Sequence, residues 1–551
     1  MAPSINLQEQ EPQLKATYLH GWRLAIVISS LCFGTLLVAI DTTIIAVAVP
    51  SISTDFQAFN DIQWYGSAYL LTVTAFQPAF GALFRYFSAK QVYLASVLIF
   101  EIGSVLCAAA PNSSVFIAGR AVSGVGAAGL YQGALAIVGL TVELAKRPMF
   151  LGIVLSVFGI AVCFGPPLGG VFTDHASWRW CFWINLPIGA VALCLLSVFL
   201  RIEQSRGDVS LPFKTKLKKL DLLGIGTIVG AVTCLMLSLQ WGQEHGNWRH
   251  GRVVGCFAAA LILTLGFGVI QWRKQDLATV PLRILRQRSI FMGAFYLFFL
   301  EMAIYVCLFY IPFFYQSVQL NTATISGLKE IPLGLAQVIS IVVVGALVTR
   351  FGHYVPFMVL GPLIAIIGTV FLAHINVNTQ YILVAVFLVI SGIGFGTGLQ
   401  MPFTAVQAVL ADDDIPVGNA IMVFFSQLGA SIAISVAQSV FSSSLKGDIT
   451  RKLSSVTDAR FADFDPAAVI AAGPKGMKAL AHDAVVLRFL QDSYAVAVRH
   501  TLYVAVATVI VAIPFALGMQ WLNVKAISKA KSESTEMLVE RNRGDEEKGS
   551  A

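Results

Sequence analysis

Charge is what this sequence has least of. Only 12% of its 551 residues are Asp, Glu, Lys or Arg, against about 25% in soluble domains. Hydrophobic residues make up 57% and the mean hydropathy is +0.76, so a soluble domain of this size would lack its polar shell. Paired cysteines are also missing. All eight (Cys32, Cys107, Cys163, Cys181, Cys194, Cys234, Cys256, Cys307) fall inside apolar blocks without CxxC spacing, which argues against a disulfide frame or a metal site. The histidines are scattered, so the clustered ligands of a membrane metalloenzyme are not expected. No GxxxxGK[ST] loop occurs, which argues against ATP drive. No enzyme activity, cofactor or metal is expected. The net charge of +7 lies in segments between apolar blocks, so no nucleic-acid partner is expected either.

What is present is a series of apolar runs near the roughly 20 residues that cross about 30 Å of hydrocarbon. Fourteen spans are predicted: 24–47, 62–84, 91–110, 114–140, 149–171, 181–200, 222–241, 253–271, 290–312, 326–348, 355–374, 381–402, 417–441 and 500–521. Residues 1–22 are polar and contain Glu9 and Glu11, so no cleavable signal is expected. Lys214, Lys216, Lys218, Lys219, Arg283, Arg286 and Arg288 share one side, while the short loops opposite hold little beyond Arg179, Arg249, Arg252 and Lys329. The positive-inside rule then makes both termini cytoplasmic. GALFRYF (81–87) and SGVG (123–126) return as GALVTRF (345–351) and SGIG (391–394), which predicts a duplicated bundle. The expected layout is a tail 1–23, a six-helix bundle 24–200, cytoplasmic loops and a two-helix insert 201–289, and a second six-helix bundle 290–521 with an outside loop 442–499. A disordered cytoplasmic tail 522–551 completes it, and neither tail is expected to hold a signalling domain.

Four charged residues are expected deep in spans: Asp41, Glu101, Arg120 and Glu301. Charge at that depth is costly, so each is a functional candidate. At about 1.5 Å rise per residue, Asp41 and Arg120 both lie about six residues, some 9 Å, below the outer ends of their spans. Burial disfavours the Asp41 charge and a nearby guanidinium favours it, which makes this pair the candidate proton site.

Longer motifs carry a family resemblance. DTTIIAVAVP (41–50), GRAVSGVGAAG (119–129), Gly159 with GPPLGG (165–170) and WRWCFWINLPIG (178–189) resemble the major facilitator superfamily, in particular its fourteen-span drug:proton antiporter branch. FEIGS (100–104), VPLRILRQRS (280–289) and YIPFFYQ (310–316) are similar to fungal members that export toxins and other secondary metabolites. The resemblance implies an all-α polytopic membrane protein with the major facilitator fold: two six-helix bundles plus a two-helix insert, fourteen transmembrane helices in all. It implies a monomeric, proton-coupled efflux transporter of small, largely apolar molecules in the cell membrane or the vacuolar membrane. A siderophore or nutrient carrier of the same fold is the alternative.

It also implies that Gly159, Gly165, Pro166, Gly169 and Gly170 form the antiporter motif. The cytoplasmic loop motif, Gly81, Arg85 and Lys90, departs from the family pattern, with Arg85 where Asp is usual and Ser88 where Gly is usual. The family's Asp-mediated latch therefore does not carry over in its usual form. Phe295, Phe298 and Phe299 are candidates for lining a cargo pocket. Asn112-Ser113-Ser114 is a glycosylation sequon, expected to go unused because its loop is short.

Tags at 216, 286 and 545 are predicted to be shielded in intact cells, and a tag inside 456–483 to be labelled from outside. External labelling at 545 would overturn the fourteen-span orientation.

Overall fold

Hydrocarbon offers a backbone no hydrogen-bond partners, so an apolar run that crosses it must satisfy its N–H and C=O groups internally, as a helix. A computed structural model describes residues 19–58, 61–200, 212–244, 248–455, 484–530 and 533 of the chain. Among the described residues, fourteen helices are long and apolar enough to cross a membrane. They are α1 (Gly21–Asp55), α2 (Ile62–Tyr86), α3 (Ala89–Ala108), α4 (Ser113–Thr141), α5 (Arg147–His175), α6 (Asn185–Phe199), α7 (Leu222–Glu244), α8 (Gly251–Lys274), α9 (Arg288–Ser317), α10 (Ile331–Phe351), α11 (Val355–Ala373), α12 (Tyr381–Leu399), α13 (Ile415–Ser455) and α14 (Ala484–Leu517). Short helices at Trp180–Trp183 and Met401–Val409 lead into α6 and continue α12.

The duplication is visible in packing. The second helix of each half lies on the fifth helix of the other: α2 on α13, and α10 on α5. The two small-residue echoes do the same work in each half. A Cβ built on Gly126 would stand 2.6 Å from Phe100 Cα of α3, and one on Gly394 would stand 2.6 Å from Ala365 Cα of α11. Side chains are excluded at both, and the backbones meet as in small-xxx-small membrane contacts.

The insert, α7 and α8, lies across the join between the halves. Ile228 and Val232 of α7 are buried with Ala75 of α2, and Phe424 of α13 packs on the same cluster. Leu261, Ile262, Leu265, Val269 and Trp272 of α8 are exposed, as suits a lipid-facing surface. Asp221, itself fully buried, ties the insert together. It accepts from Gly224 N (2.8 Å), Gln271 Nε2 (3.0 Å), Lys274 Nζ (2.8 Å) and Thr279 Oγ1 (3.2 Å), joining the start of α7 to the end of α8.

Three boundaries correct the sequence expectations. The outside loop 442–499 is helical at both ends, because α13 runs on to Ser455 and α14 starts at Ala484. Leu445 and Ile449 of α13 and Val486, Leu490 and Tyr494 of α14 continue the apolar spacing and are buried. Lys452 joins the pair, bonding Ser493 Oγ (3.0 Å) and Asp448 Oδ2 (2.6 Å). The tail 522–551, expected to be disordered, begins instead with a helix over 524–530. Asn523 caps its first turn, accepting from Lys525 N and Ala526 N, while Val524 N donates to Gly352 O (2.8 Å). Beyond the four expected positions, Arg147, Glu330 and Asp448 are buried as well. Most of the expected N-terminal tail, residues 201–211, the middle of the 442–499 loop and the distal tail lie outside the described residues.

Burial pushes the Asp221 carboxyl up, but the bonds from Lys274, Gly224, Gln271 and Thr279 outweigh it and hold the group below its ordinary range. Its contribution to stability is therefore complete above the unfolded value of about 3.9 and is lost as pH falls through the depressed folded value. Asp221→Ala is predicted to destabilise the detergent-solubilised protein by about 1–3 kcal/mol, read by thermal unfolding at neutral pH. An unchanged transition would show that the tie is not holding the insert.

Candidate functional site

Asp41 sits in the middle of α1 and Arg120 in the first third of α4. The structure brings them together: Arg120 Nη1 lies 2.6 Å from Asp41 Oδ2, with the side chains 1% and 0% exposed. An ion pair this deep is tolerated only if the remaining donors are met. Arg120 Nε donates to the Tyr65 carbonyl at 2.9 Å, and the guanidinium lies 4.4 Å from the Tyr69 ring centre and 5.8 Å from that of Phe182. Tyr65 is itself anchored at the end of α2, where its hydroxyl donates to Ser113 Oγ (3.1 Å) and Ser113 Oγ donates to Asp61 Oδ2 (2.5 Å). Asp41 Oδ1, by contrast, makes no hydrogen bond within ordinary geometry among the described residues, with the buried Asn185 side chain beside the carboxylate. The pair thus has one satisfied side and one unbonded carboxylate oxygen.

Tyr69 connects this pair to the centre of the molecule. A cavity between the halves is lined by Thr42, Tyr69, Tyr131, Phe158, Tyr305 and Gln427, with Val38, Leu70 and Val73. Its free space is about 20 Å³, enough for a water and too little for an organic cargo. Glu301 stands one turn before Tyr305 on α9 and accepts from Ser426 Oγ at 3.0 Å. Neither oxygen of Glu101, on α3, has a hydrogen-bond partner among the described residues, and its carboxyl packs against Gly189 of α6.

Phe295, Phe298 and Phe299, the candidates for lining a cargo pocket, lie outside the walls of this small cavity. Phe295 and Phe299 stack on Phe515 of α14 (5.5 and 5.6 Å), and Phe298 packs edge-on against Phe299 (5.1 Å). Since α9 is apolar on every side, its sequence does not say which face looks inward.

The antiporter motif positions α1. Gly165 faces Thr43 and Gly169 faces Ile44, where an added Cβ would stand 2.7 Å from the Ile44 carbonyl oxygen. Thr43 Oγ1 donates across to Ala161 O at 3.1 Å. α5 is thus seated on α1 within three residues of Asp41. Its other face meets the second half, with Gly159 pressed on Val338 of α10. Pro166 and Pro167 interrupt the α5 hydrogen-bond ladder beside Gly170.

At the expected cytoplasmic end the loop motif takes part in an ion pair between the halves. Arg85 of α2 lies 3.6 Å from Asp414, just before α13, and Arg283 clamps the same carboxylate at 2.6 and 3.0 Å. Gly81 sits against Ala420 and Pro416 of α13, and Lys90 donates to Ser197 O (2.6 Å) on α6. Uncharged residues that the sequence did not single out add to this closure. Gln132 Nε2 donates to Pro416 O (2.5 Å), Gln400 Nε2 to Pro148 O (3.1 Å), and the buried Arg147 to Gln407 Oε1 (3.1 Å), all between halves. At the other end Asn112 caps α4, accepting from Val115 N at 3.0 Å. Among the described residues no group of three or more His, Cys, Asp or Glu could hold a metal.

The Major Facilitator Superfamily profile matches residues 31–434. A protein of Arthroderma benhamiae named MFS-type efflux pump MFS1 is 40% identical over 508 residues, covering 92% of this chain and 93% of that one. The MFS-type transporter astH of Aspergillus oryzae is 39% identical (92% and 88% covered), and efflux pump aflT of Aspergillus parasiticus 36% identical (93% and 98%). Among solved structures, the proton:xylose symporter XylE superposes with a TM-score of 0.56 at 15% identity, covering 92% of this chain and 99% of that one. The human organic anion transporter MFSD10 gives 0.56 at 13% identity, covering 88% and 100%. At such identities the structural likeness bears on fold alone.

Gly165→Leu and Gly169→Leu are predicted to push α5 off α1 at a cost of about 1–3 kcal/mol each and to abolish transport while much of the protein still inserts. Normal transport by both variants would show that the α1–α5 contact is dispensable.

Proposed function

This chain belongs to the Major Facilitator Superfamily, and on that premise we propose that it is a proton-driven exporter of small, largely apolar organic molecules at the cell membrane. The observation that carries the reading is the Asp41–Arg120 pair, sealed from solvent one aromatic ring away from the central cavity. The names of the fungal relatives, efflux pumps among them, support the direction of transport. The aromatic cavity wall supports apolar cargo. The protein acts as a monomer, with cargo, protons and lipid as its partners.

Asp41 has two ways to be neutral: to hold Arg120 or to hold a proton. With the pair closed, the guanidinium favours the ionised carboxylate and the proton leaves. When the halves rock and α1 shifts against α4, the carboxylate is left in a dry site and takes a proton from whichever side is open. Its unbonded Oδ1 is the place for that proton. Tyr69 transmits cargo occupancy, since one face of its ring contacts Arg120 while the residue lines the cavity. Cargo and proton then exclude each other without sharing an atom, and the membrane pH gradient drives export. The Gly165 and Gly169 contacts keep α1 and α5 moving as one body, and the Arg85–Asp414 ion pair favours closure of the cytoplasmic side.

Asp41→Asn keeps shape and removes the titratable group. In vesicles with an imposed pH gradient it is predicted to lose uphill transport of a fluorescent apolar dye while retaining downhill dye exchange. Arg120→Ala is predicted to lose uphill transport too, because Asp41 then keeps its proton. Full pH-driven transport by Asp41→Asn at normal expression would overturn the assignment.

A further inference from the structure

Glu330 is a buried acid that neither the Asp41–Arg120 pair nor the Arg85–Asp414 pair uses. It is 7% exposed, and its Oε1 has no hydrogen-bond partner among the described residues. It stands at the joint between a short helix, Ala323–Leu328, and α10. The joint's backbone is satisfied: Glu330 N donates to Gly327 O (3.1 Å), and Glu330 O accepts from Leu333 N (3.0 Å). The carboxyl does not cap α10, and Pro332 removes one of the N–H groups that could have served it.

The joint lies on the motif half of α5. A Cβ on Gly327 would stand 3.9 Å from Pro166 Cβ, and one on Gly334 would stand 3.1 Å from Cys163 Sγ. The titratable groups around Glu330 are Cys163 of α5 and Cys307 and Tyr315 of α9, none of them a cation. The neighbouring Lys329 makes no ion pair with it among the described residues, donating instead to Gln319 Oε1 (3.2 Å) and lying 4.9 Å from the Tyr315 ring centre. A carboxylate sealed in this seam would be an unpaired charge at a protein–protein contact inside the bilayer, a strongly disfavoured state.

We propose that Glu330 is a proton-operated closing residue of the outer gate: the seam between α5 and α10 shuts at its outer end only when a proton from the outer medium neutralises this carboxylate. The inference rests on the orientation and proton drive proposed above. The proton binds a carboxylate oxygen as the seam closes and returns to the same medium as it opens. It therefore sets how closure depends on external pH and adds nothing to the protons carried across. That separates Glu330 from Asp41, whose proton crosses.

Cys163, half-buried beside the joint, reports on the seam. The whole protein, with all its cysteines, is reconstituted in vesicles and treated with a membrane-impermeant maleimide at different external pH, and labelling of the Cys163 peptide is followed by mass spectrometry. The wild-type rate, divided by that of a free thiol at the same pH because maleimide adds to the thiolate, is predicted to rise several-fold as the medium becomes alkaline. Glu330→Gln, permanently neutral and nearly isosteric, is predicted to lose that dependence and stay slow, while Glu330→Asp keeps it. Glu330→Gln should also retain uphill dye transport, which Asp41→Asn should not. An unchanged pH dependence of this corrected rate in Glu330→Gln, or a corrected rate independent of pH in the wild type, would overturn the gate. A gate that behaves as stated while Asp41→Asn pumps normally would overturn only the proton site.

Discussion

The structure turns on a charge pair held where charge is least welcome. Asp41 and Arg120 are the two groups that α1 and α4 bury beside the cavity, and each is tolerable there because of the other. The Tyr65 carbonyl and the Tyr69 ring occupy the rest of the guanidinium. One oxygen of Asp41 is left unbonded. A fully satisfied pair would be inert, whereas a pair one bond short of satisfaction responds to a small shift between two helices.

Such a shift needs helices that move as rigid bodies and interfaces with little to re-solvate. The glycine contacts supply both. Gly165 and Gly169 bring α5 close to α1 near Asp41, Gly126 and Gly394 do so for equivalent helix pairs in the two halves, and Gly159 packs on Val338 of α10. Polar contacts between the halves gather at the expected cytoplasmic end, at Arg85, Arg147, Gln132 and Gln400. These contacts are bonds that opening can exchange for water. The buried Glu330 sits toward the opposite end of the α5–α10 seam. The two ends are therefore chemically different: one is held by hydrogen bonds, the other by small-residue packing around an acid.

Much of this was legible in the sequence because the bilayer simplifies reading. Length and hydropathy mark the spans, and counting rise per residue from the span ends put Asp41 and Arg120 at one depth, where they meet. The reading failed where its signal is weak. Arg147 and Glu330 stand where α5 and α10 begin, where a charge reads as the end of a loop, yet neighbouring helices bury them. The polar residues of α13 beyond 441 hid a helix whose buried side still follows Leu445 and Ile449. The phenylalanines of α9 are named by the sequence without a face, because a helix apolar on all sides has no legible inner side. Gln132, Gln400 and Gln407 carry no charge, so nothing in composition separates them from ordinary membrane-helix residues.

The central claim is that Asp41 alternates between Arg120 and a proton. Infrared difference spectroscopy of the reconstituted protein between alkaline and acidic pH tests it most directly, by following the carbonyl stretch of a protonated carboxylic acid in a dry site. One component of that band is predicted to be present in the wild type, kept in Glu101→Gln, Glu301→Gln and Glu330→Gln, and lost in Asp41→Asn, while a second component, from the gate carboxyl, is lost in Glu330→Gln alone. A band that persists undiminished in Asp41→Asn, or disappears in Glu301→Gln, would contradict the account.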